Sequence, residues 1–208
     1  MHIAVAGNIG TGKTTLTELL SRYFGFEAHY EDNDQNPYLL DFYSDMQHWA
    51  FHLQVSFLHS RLHKVMEIHR EKINVIQDRT MYEDAEIFAP NLHAMGLLSS
   101  RDYETYRRLY EAITPFIQPP DLLVYLRCDI GTLVEQIEAK GRSYENSIRF
   151  DYLKRLNERY DEWYDGYTYG KKIDIRIPEK QFSSDPEALG SIINRVKGEM
   201  FGLFSNLS

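Results

Sequence analysis

The residues Gly7-Asn8-Ile9-Gly10-Thr11-Gly12-Lys13-Thr14 match the pattern G-x-x-x-x-G-K-[ST] and follow directly on the apolar run Ile3-Ala4-Val5-Ala6. Glycines let the backbone turn tightly enough to aim several N–H donors at phosphate oxygens, while Lys13 reaches the outer phosphates and the Thr14 hydroxyl can ligate magnesium. A helix beginning at Thr14-Thr15 adds its positive end. The pattern specifies a nucleoside triphosphate and leaves the reaction open. Two more polar clusters, Tyr30-Glu31-Asp32 and Asp78-Arg79-Thr80, also follow strand-like runs. Ligands of an open parallel α/β sheet gather beyond the carboxyl ends of its strands, so the three segments can line one cleft. Phosphoryl transfer to an alcohol needs the hydroxyl aligned, its proton accepted and negative charge neutralised. Glu31 is the candidate base, Arg79 the candidate holder of the acceptor oxygen or a transferring phosphate, and Asp78 a magnesium partner acting through water. Local sequence also allows a solvated Glu31 in the acidic loop Glu31-Asp32-Asn33-Asp34, and Arg79 as the ion-pair mate of Asp78.

Five apolar runs carry these clusters: Ile3 to Ala6, Glu27 to Tyr30, Ile73 to Gln77, Leu122 to Leu126 and Ile173 to Ile177. Segments long enough for helices separate them, and this alternation predicts a five-stranded parallel sheet flanked by helices on both faces. Thr14 to Phe24 reads as the first helix, with Gly25 as its stop. Met46 to Arg70 is helical, with Trp49, Leu53, Phe57 and Leu58 on one stripe. Further helices are expected at Tyr82 to Met95, Arg101 to Phe116, Ile130 to Ala139 and Phe150 to Trp163. The Ser183-Ser184-Asp185-Pro186 cluster caps a last one. Lys140 to Arg149 breaks the pattern into a polar stretch that reads as a mobile loop.

The chain has 208 residues, enough for one domain with a large core. A net charge of -8 argues against a broad surface for gripping nucleic acid, so a small-molecule substrate is expected. Cys128 is the single cysteine, which fits a reducing compartment, and the cytoplasm is the expected location. Met1-His2-Ile3 enters a strand without a basic leader, and no run approaches a membrane span. His59 and His63 lie four residues apart without the H-E-x-x-H context of a zinc site, and the histidines are expected on the surface or in packing. Tyr103, Tyr106, Tyr110, Tyr160 and Tyr164 fall at helical intervals and are expected in a core or an interface.

The loop from Gly7 to Thr15, Glu31, the segment Tyr43 to Gln54, the Asp78-Arg79-Thr80 triplet and Lys140-Gly141-Arg142-Ser143-Tyr144-Glu145 together resemble the deoxynucleoside kinase family. The resemblance runs from Met1 to about Trp163. It implies a P-loop kinase fold with a short lid at about 140–149, ATP as donor with magnesium, and a deoxynucleoside 5′-hydroxyl as acceptor. Glu31 then matches the family's base, Arg79 the arginine on the same oxygen, Tyr43 and Glu145 the pair on the sugar 3′-hydroxyl, Gln54 the amide that reads the base edge, and Phe88 the ring that stacks on it. Trp49 shapes the pocket. Arg61 and Asp84 resemble the charged pair placed around the exocyclic group of the base in deoxycytidine and purine deoxynucleoside kinases. The segment Asp32 to Leu39 resembles bacterial-type deoxyadenosine and deoxyguanosine kinases, so a purine is favoured over cytosine, and thymidine is disfavoured. The family's lid often carries several arginines. Here Gln136 and Lys140 stand at two matching places, Arg142 is kept, and Arg149 and Arg127 are candidate substitutes. The resemblance also implies a homodimer through long helices.

Gln54 and Arg61 lie two helical turns apart and so share one face of a helix. A nucleoside monophosphate kinase is the nearest rival, but Glu31 repels a dianionic acceptor and welcomes an alcohol. A nucleotide-switch module would need an N-K-x-D motif, which neither Asn33 nor Asn91 supplies.

Overall fold

All six residues of the first strand, β1 (His2–Gly7), are buried, as expected of a strand with helices on both faces. In the computed structural model, which describes residues 1–31, 35–141, 148–177, 182 and 185–202, β1 is the centre of a five-stranded sheet. β3 (Val75–Asp78) and β4 (Leu122–Arg127) flank it, β2 (Glu27–His29) lies beyond β3 and β5 (Lys171–Arg176) beyond β4, every pair parallel. Val5 of β1 pairs with Asp78 in register, so the phosphate loop and the Asp78-Arg79 corner leave neighbouring strands at one level.

Alternation along β1 divides the core. Ala4 and Ala6 face a cluster with Leu53, Phe57, Leu58, Phe88, Tyr106 and Tyr160, whereas Ile3 and Val5 face Leu16, Leu20, Val124, Ile193 and Val196. α1 (Lys13–Phe24) stops at Gly25, whose φ of 68° suits a residue without Cβ. α2 (Leu39–Ser44) is a short helix that the polar sequence around it does not announce. α3 (Met46–Glu71) starts where the Asp45 carboxylate accepts the His48 N–H, and its buried stripe contains Leu53, Phe57 and Leu58 with Gln54 and Arg61 among them. Lys72, in the left-handed region, ends α3, and this delays β3 by two residues from its expected start.

The helix expected at Tyr82 to Met95 is interrupted. α4 (Met81–Glu83) widens into a π-turn (Asp84–Phe88) before α5 (Ala89–Ala94). α6 (Ser100–Ile113) tightens into a 3₁₀ turn, Thr114–Phe116, containing Pro115. α7 (Ile130–Lys140), α8 (Phe150–Gly166) and α9 (Pro186–Phe201) complete the layers, the last capped by Asp185. Among the described residues no helix is long and apolar enough to cross a membrane.

Candidate active site

The phosphate loop takes its shape from glycines that no other residue can replace cheaply. Gly10 and Gly12 have φ of 88° and 86°, and a Cβ on Gly10 would stand 2.8 Å from Ile137 Cγ1. Thr11 Oγ1 donates to the Asn8 carbonyl at 3.0 Å, and Ile9 N–H donates to Asn8 Oδ1 at 2.8 Å. Asn8 Nδ2 donates to Leu153 O and to Asn157 Oδ1, and Asn157 Nδ2 donates to Cys128 O, so the loop is tied to α8 and to the end of β4. Lys13 Nζ folds back to donate to Asn8 O at 2.9 Å. Burial, then repulsion from Arg79, lowers its ammonium pKa to about 8. Thr14 Oγ1 donates to Asp78 Oδ2 at 2.6 Å, while buried Asp78 Oδ1 has no hydrogen-bond partner among the described residues. Burial pushes Asp78 above the usual carboxylate range.

Arg79 is built into the opposite wall by a left-handed turn, φ 65°, rare for a residue with a side chain and a form of strain that gathers at functional sites. Its N–H donates to Val5 O and its carbonyl accepts from Gln77 Nε2. The guanidinium lies 4.7 Å from the Phe88 ring centroid and donates to Glu31 Oε1 at 3.1 Å. Arg61, over Phe57 at 4.7 Å, reaches the same Glu31 oxygen at 2.5 Å and pairs with Asp84 at 2.7 Å. Two guanidinium groups thus fix one carboxylate. Burial raises Asp84 to about 7, with Arg61 opposing. Arg79 lies well above its ordinary value despite burial, because Glu31, Tyr160 and Glu83 favour its charge.

These walls enclose a cleft of about 740 Å³ of empty space, part of it continuous with solvent. Ile9, Gly10, Gly12, Lys13, Thr14, Glu31, Tyr43, Gln54, Arg79, Asp84, Phe88 and Lys140 all line it. Gly7 and Asn8 are not in its lining, and Arg61 lines an adjoining hollow that shares Glu31, Phe57 and Arg79 with the cleft. Gln54 Oε1 is buried with no hydrogen-bond partner among the described residues. A second hollow beside Gly10, Thr11 and Gly12 is lined by Thr15, Gln136, Lys140, Ile177 and Phe182. Arg142 and Glu145, with the Asp32-Asn33-Asp34 stretch and most of the lid, lie outside the described residues.

Three of the residues considered above do not line the cleft. Arg127 does not line the cleft: Asp161 at 3.3 Å and Asp165 at 3.5 Å hold it beside the rings of Tyr125 and Tyr164. Arg149 is exposed and donates to its neighbour Asp151. Trp49 packs against Tyr38, His48 and His52 rather than lining the pocket. Other contributors went unread, Tyr152 and Phe42 in the cleft wall and above all Glu83. Fully buried Glu83 accepts from Thr80 N–H, Thr80 Oγ1, Tyr160 OH and, at 3.4 Å, Gly7 N–H, joining the phosphate loop to the Arg79 corner. Thr80-x-x-Glu83 is a capping-box pattern, so its signal stood in the sequence. Among the described residues no group of three or more His, Cys, Asp or Glu side chains is arranged to hold a metal ion.

The deoxynucleoside kinase family model matches residues 3–200. A deoxyadenosine/deoxycytidine kinase of Bacillus subtilis is 37% identical over 197 residues, covering 93% of this chain and 90% of its own. A deoxyguanosine kinase of Lactobacillus acidophilus is 36% identical over 208 residues, covering 94% and 90%. Among solved structures, deoxyadenosine kinase from M. mycoides with bound dATP superposes with a TM-score of 0.84 at 28% identity, covering 95% of this chain and 100% of that one. With the family model spanning nearly the whole chain, and relatives of this identity matching over 93% or more of it, the chain belongs to the deoxynucleoside kinase family, phosphotransferases acting on a hydroxyl group of deoxynucleosides.

Proposed function

We propose that this kinase transfers the γ-phosphoryl group of ATP to the 5′-hydroxyl of a purine deoxynucleoside, deoxyadenosine first, in nucleotide salvage. The observation that carries the reading is Glu31: its carboxylate lines the same cleft as Lys13 and Thr14 and is fixed by Arg79 and Arg61. Glu31 accepts the hydroxyl proton, Arg79 steadies the acceptor oxygen, and Lys13 moves from Asn8 O to the donor phosphates. Tyr43 takes the sugar, with Glu145 as its partner, and Phe88 stacks on the base. Lys140 and Arg142 neutralise the donor phosphates from the lid. The residues fit magnesium, because Thr14 and Asp78 offer hard oxygen ligands side by side and Asp78 Oδ1 lacks a partner among the described residues. When bound, that ion would supply charge neutralisation at the phosphates.

Base choice follows from hydrogen-bonding inventory. Gln54 offers one buried acceptor and its amide donors, and Asp84 offers a further acceptor when ionised. An exocyclic amine next to a ring nitrogen complements them, which favours adenine over the carbonyl of guanine or thymine. Cytosine presents the same donor and acceptor on a smaller ring. The deoxyadenosine/deoxycytidine specificity in the name of the B. subtilis relative supports deoxycytidine as the second reading.

We further propose a cytoplasmic homodimer. Exposed Met66 on α3 and Leu109 on α6 suit cover by a second copy, and the thiol of Cys128, the single cysteine, suits a reducing compartment. The deciding experiment is magnesium- and ATP-dependent transfer to deoxyadenosine, deoxyguanosine, deoxycytidine, thymidine and their 5′-monophosphates. Turnover of deoxyadenosine, ahead of the rest, is expected. Activity confined to monophosphates would remove Glu31 as base, and thymidine in first place would overturn the Gln54 and Asp84 reading.

A further inference from the structure

We propose that Glu86 is a positioning residue that sets how Asp84 and Phe88 meet the nucleoside base. Glu86 stands in the middle of the π-turn, two residues from each of them. Asp84 and Phe88 line the cleft, whereas Glu86 lines a separate hollow on the outer side with Arg159, Trp163, Tyr167 and Tyr169. Three donors from three parts of the chain converge on its carboxylate. Tyr110 OH of α6 donates to Oε1 at 2.8 Å, Tyr169 OH donates to the same oxygen at 2.7 Å, and Trp163 Nε1 of α8 donates to Oε2 at 2.7 Å. Tyr169 also stacks on Tyr82 of α4, with ring centroids 4.6 Å apart.

A π-turn is a rare departure from the α-helix, found mostly as single-turn bulges and often at functional sites. Here the outer face is anchored to two helices and the loop after α8, while the inner face carries two groups of the nucleoside pocket. Loss of the anchor lets the turn rewind toward α geometry, which changes the phase between Asp84 and Phe88 without touching the phosphate loop. A neutral amide at position 86 can still accept both phenols, but it sets an amide N–H against the indole N–H of Trp163.

The proposal rests on the reading that Asp84 and Phe88 face the base. Steady-state kinetics on the full-length wild type, Glu86→Gln, Glu86→Leu, Tyr169→Phe and Asp84→Ala, varying deoxyadenosine and ATP separately, test it together with thermal unfolding midpoints. Glu86→Leu should raise nucleoside KM at least about tenfold with ATP KM and kcat within about twofold, and Glu86→Gln and Tyr169→Phe should raise it by smaller factors. Because Tyr169 is 42% exposed, Tyr169→Phe keeps the question open to test should the position-86 variants fail to fold. A lowered midpoint or lowered kcat with nucleoside KM unmoved in these variants overturns the role of Glu86. If Asp84→Ala also leaves nucleoside KM unmoved, the placement of the base has failed; if it raises KM, the failure belongs to Glu86 alone.

Discussion

A carboxylate that takes a proton from an alcohol must be aimed at it, and the guanidinium groups of Arg79 and Arg61 hold Glu31 in place. Glu31→Gln keeps the shape and removes the base, so kcat should fall by about 10²–10⁴ while calorimetric deoxynucleoside affinity stays within a few-fold of wild type. Retained turnover would reassign the base. Lys13 gives the second prediction at this scale. Its pKa is lowered to about 8 by burial, so in the free enzyme it loses its proton as pH rises through that value. Phosphates bind the charged form, and ATP affinity should therefore weaken above about pH 8, with binding taking up a proton. Titration calorimetry at pH 8.5 in buffers of different ionisation enthalpy measures that uptake, and identical heats would show Lys13 already protonated. Glu31 and Arg79 were legible because both follow strand runs that end in polar residues. The Glu31–Arg61 contact was not, since the two residues stand 30 apart in the sequence and only the packed helix α3 brings the pair together.

Elements were legible where periodicity is strong and obscure where it is locally broken. The apolar stripe of α3 reads directly from Leu53, Phe57 and Leu58. The π-turn does not, because Asp84 to Phe88 contains no Gly or Pro and a change from i→i+4 to i→i+5 bonding leaves little compositional mark. The tie from the phosphate loop to α8 is also invisible in sequence, although it fixes the Asn8 end of that loop. Asn157 accepts from Asn8 and donates to Cys128 O. Asn157→Leu removes both bonds and leaves the buried Asn8 amide with one fewer acceptor, which should cost about 1–3 kcal/mol in urea unfolding. ATP KM should rise with it, whereas nucleoside KM should hold. An unchanged ATP KM would mean that the glycine geometry alone keeps the loop in shape.

At the scale of the whole molecule, alternating strand and helix runs give the parallel sheet, but the order β2-β3-β1-β4-β5 comes only from the structure. That order seats the buried His2 of β1 beside Gln77 of β3. Its Nε2 lies 2.7 Å from Gln77 Oε1, and Gln77 Nε2 in turn donates to the carbonyl of the strained Arg79. The central sheet and the catalytic corner therefore share a titrating group that the expectation of surface or packing histidines did not distinguish. Burial lowers His2 from 6.5 to about 4 in the folded chain. Between those values the unfolded chain binds more protons, so the stabilising contribution is full above pH 6.5 and is lost as pH falls toward 4. The loss should reach about 3 kcal/mol. Asp84 acts in the opposite sense, because its raised pKa makes the folded chain bind more protons between its ordinary value and about 7. The His2 contribution must therefore be isolated by difference. Urea unfolding of wild type and His2→Gln from pH 7 to 4.5 should show the variant less stable at pH 7 but with a shallower acid loss. Parallel curves would assign the acid sensitivity of the fold to its carboxylates instead.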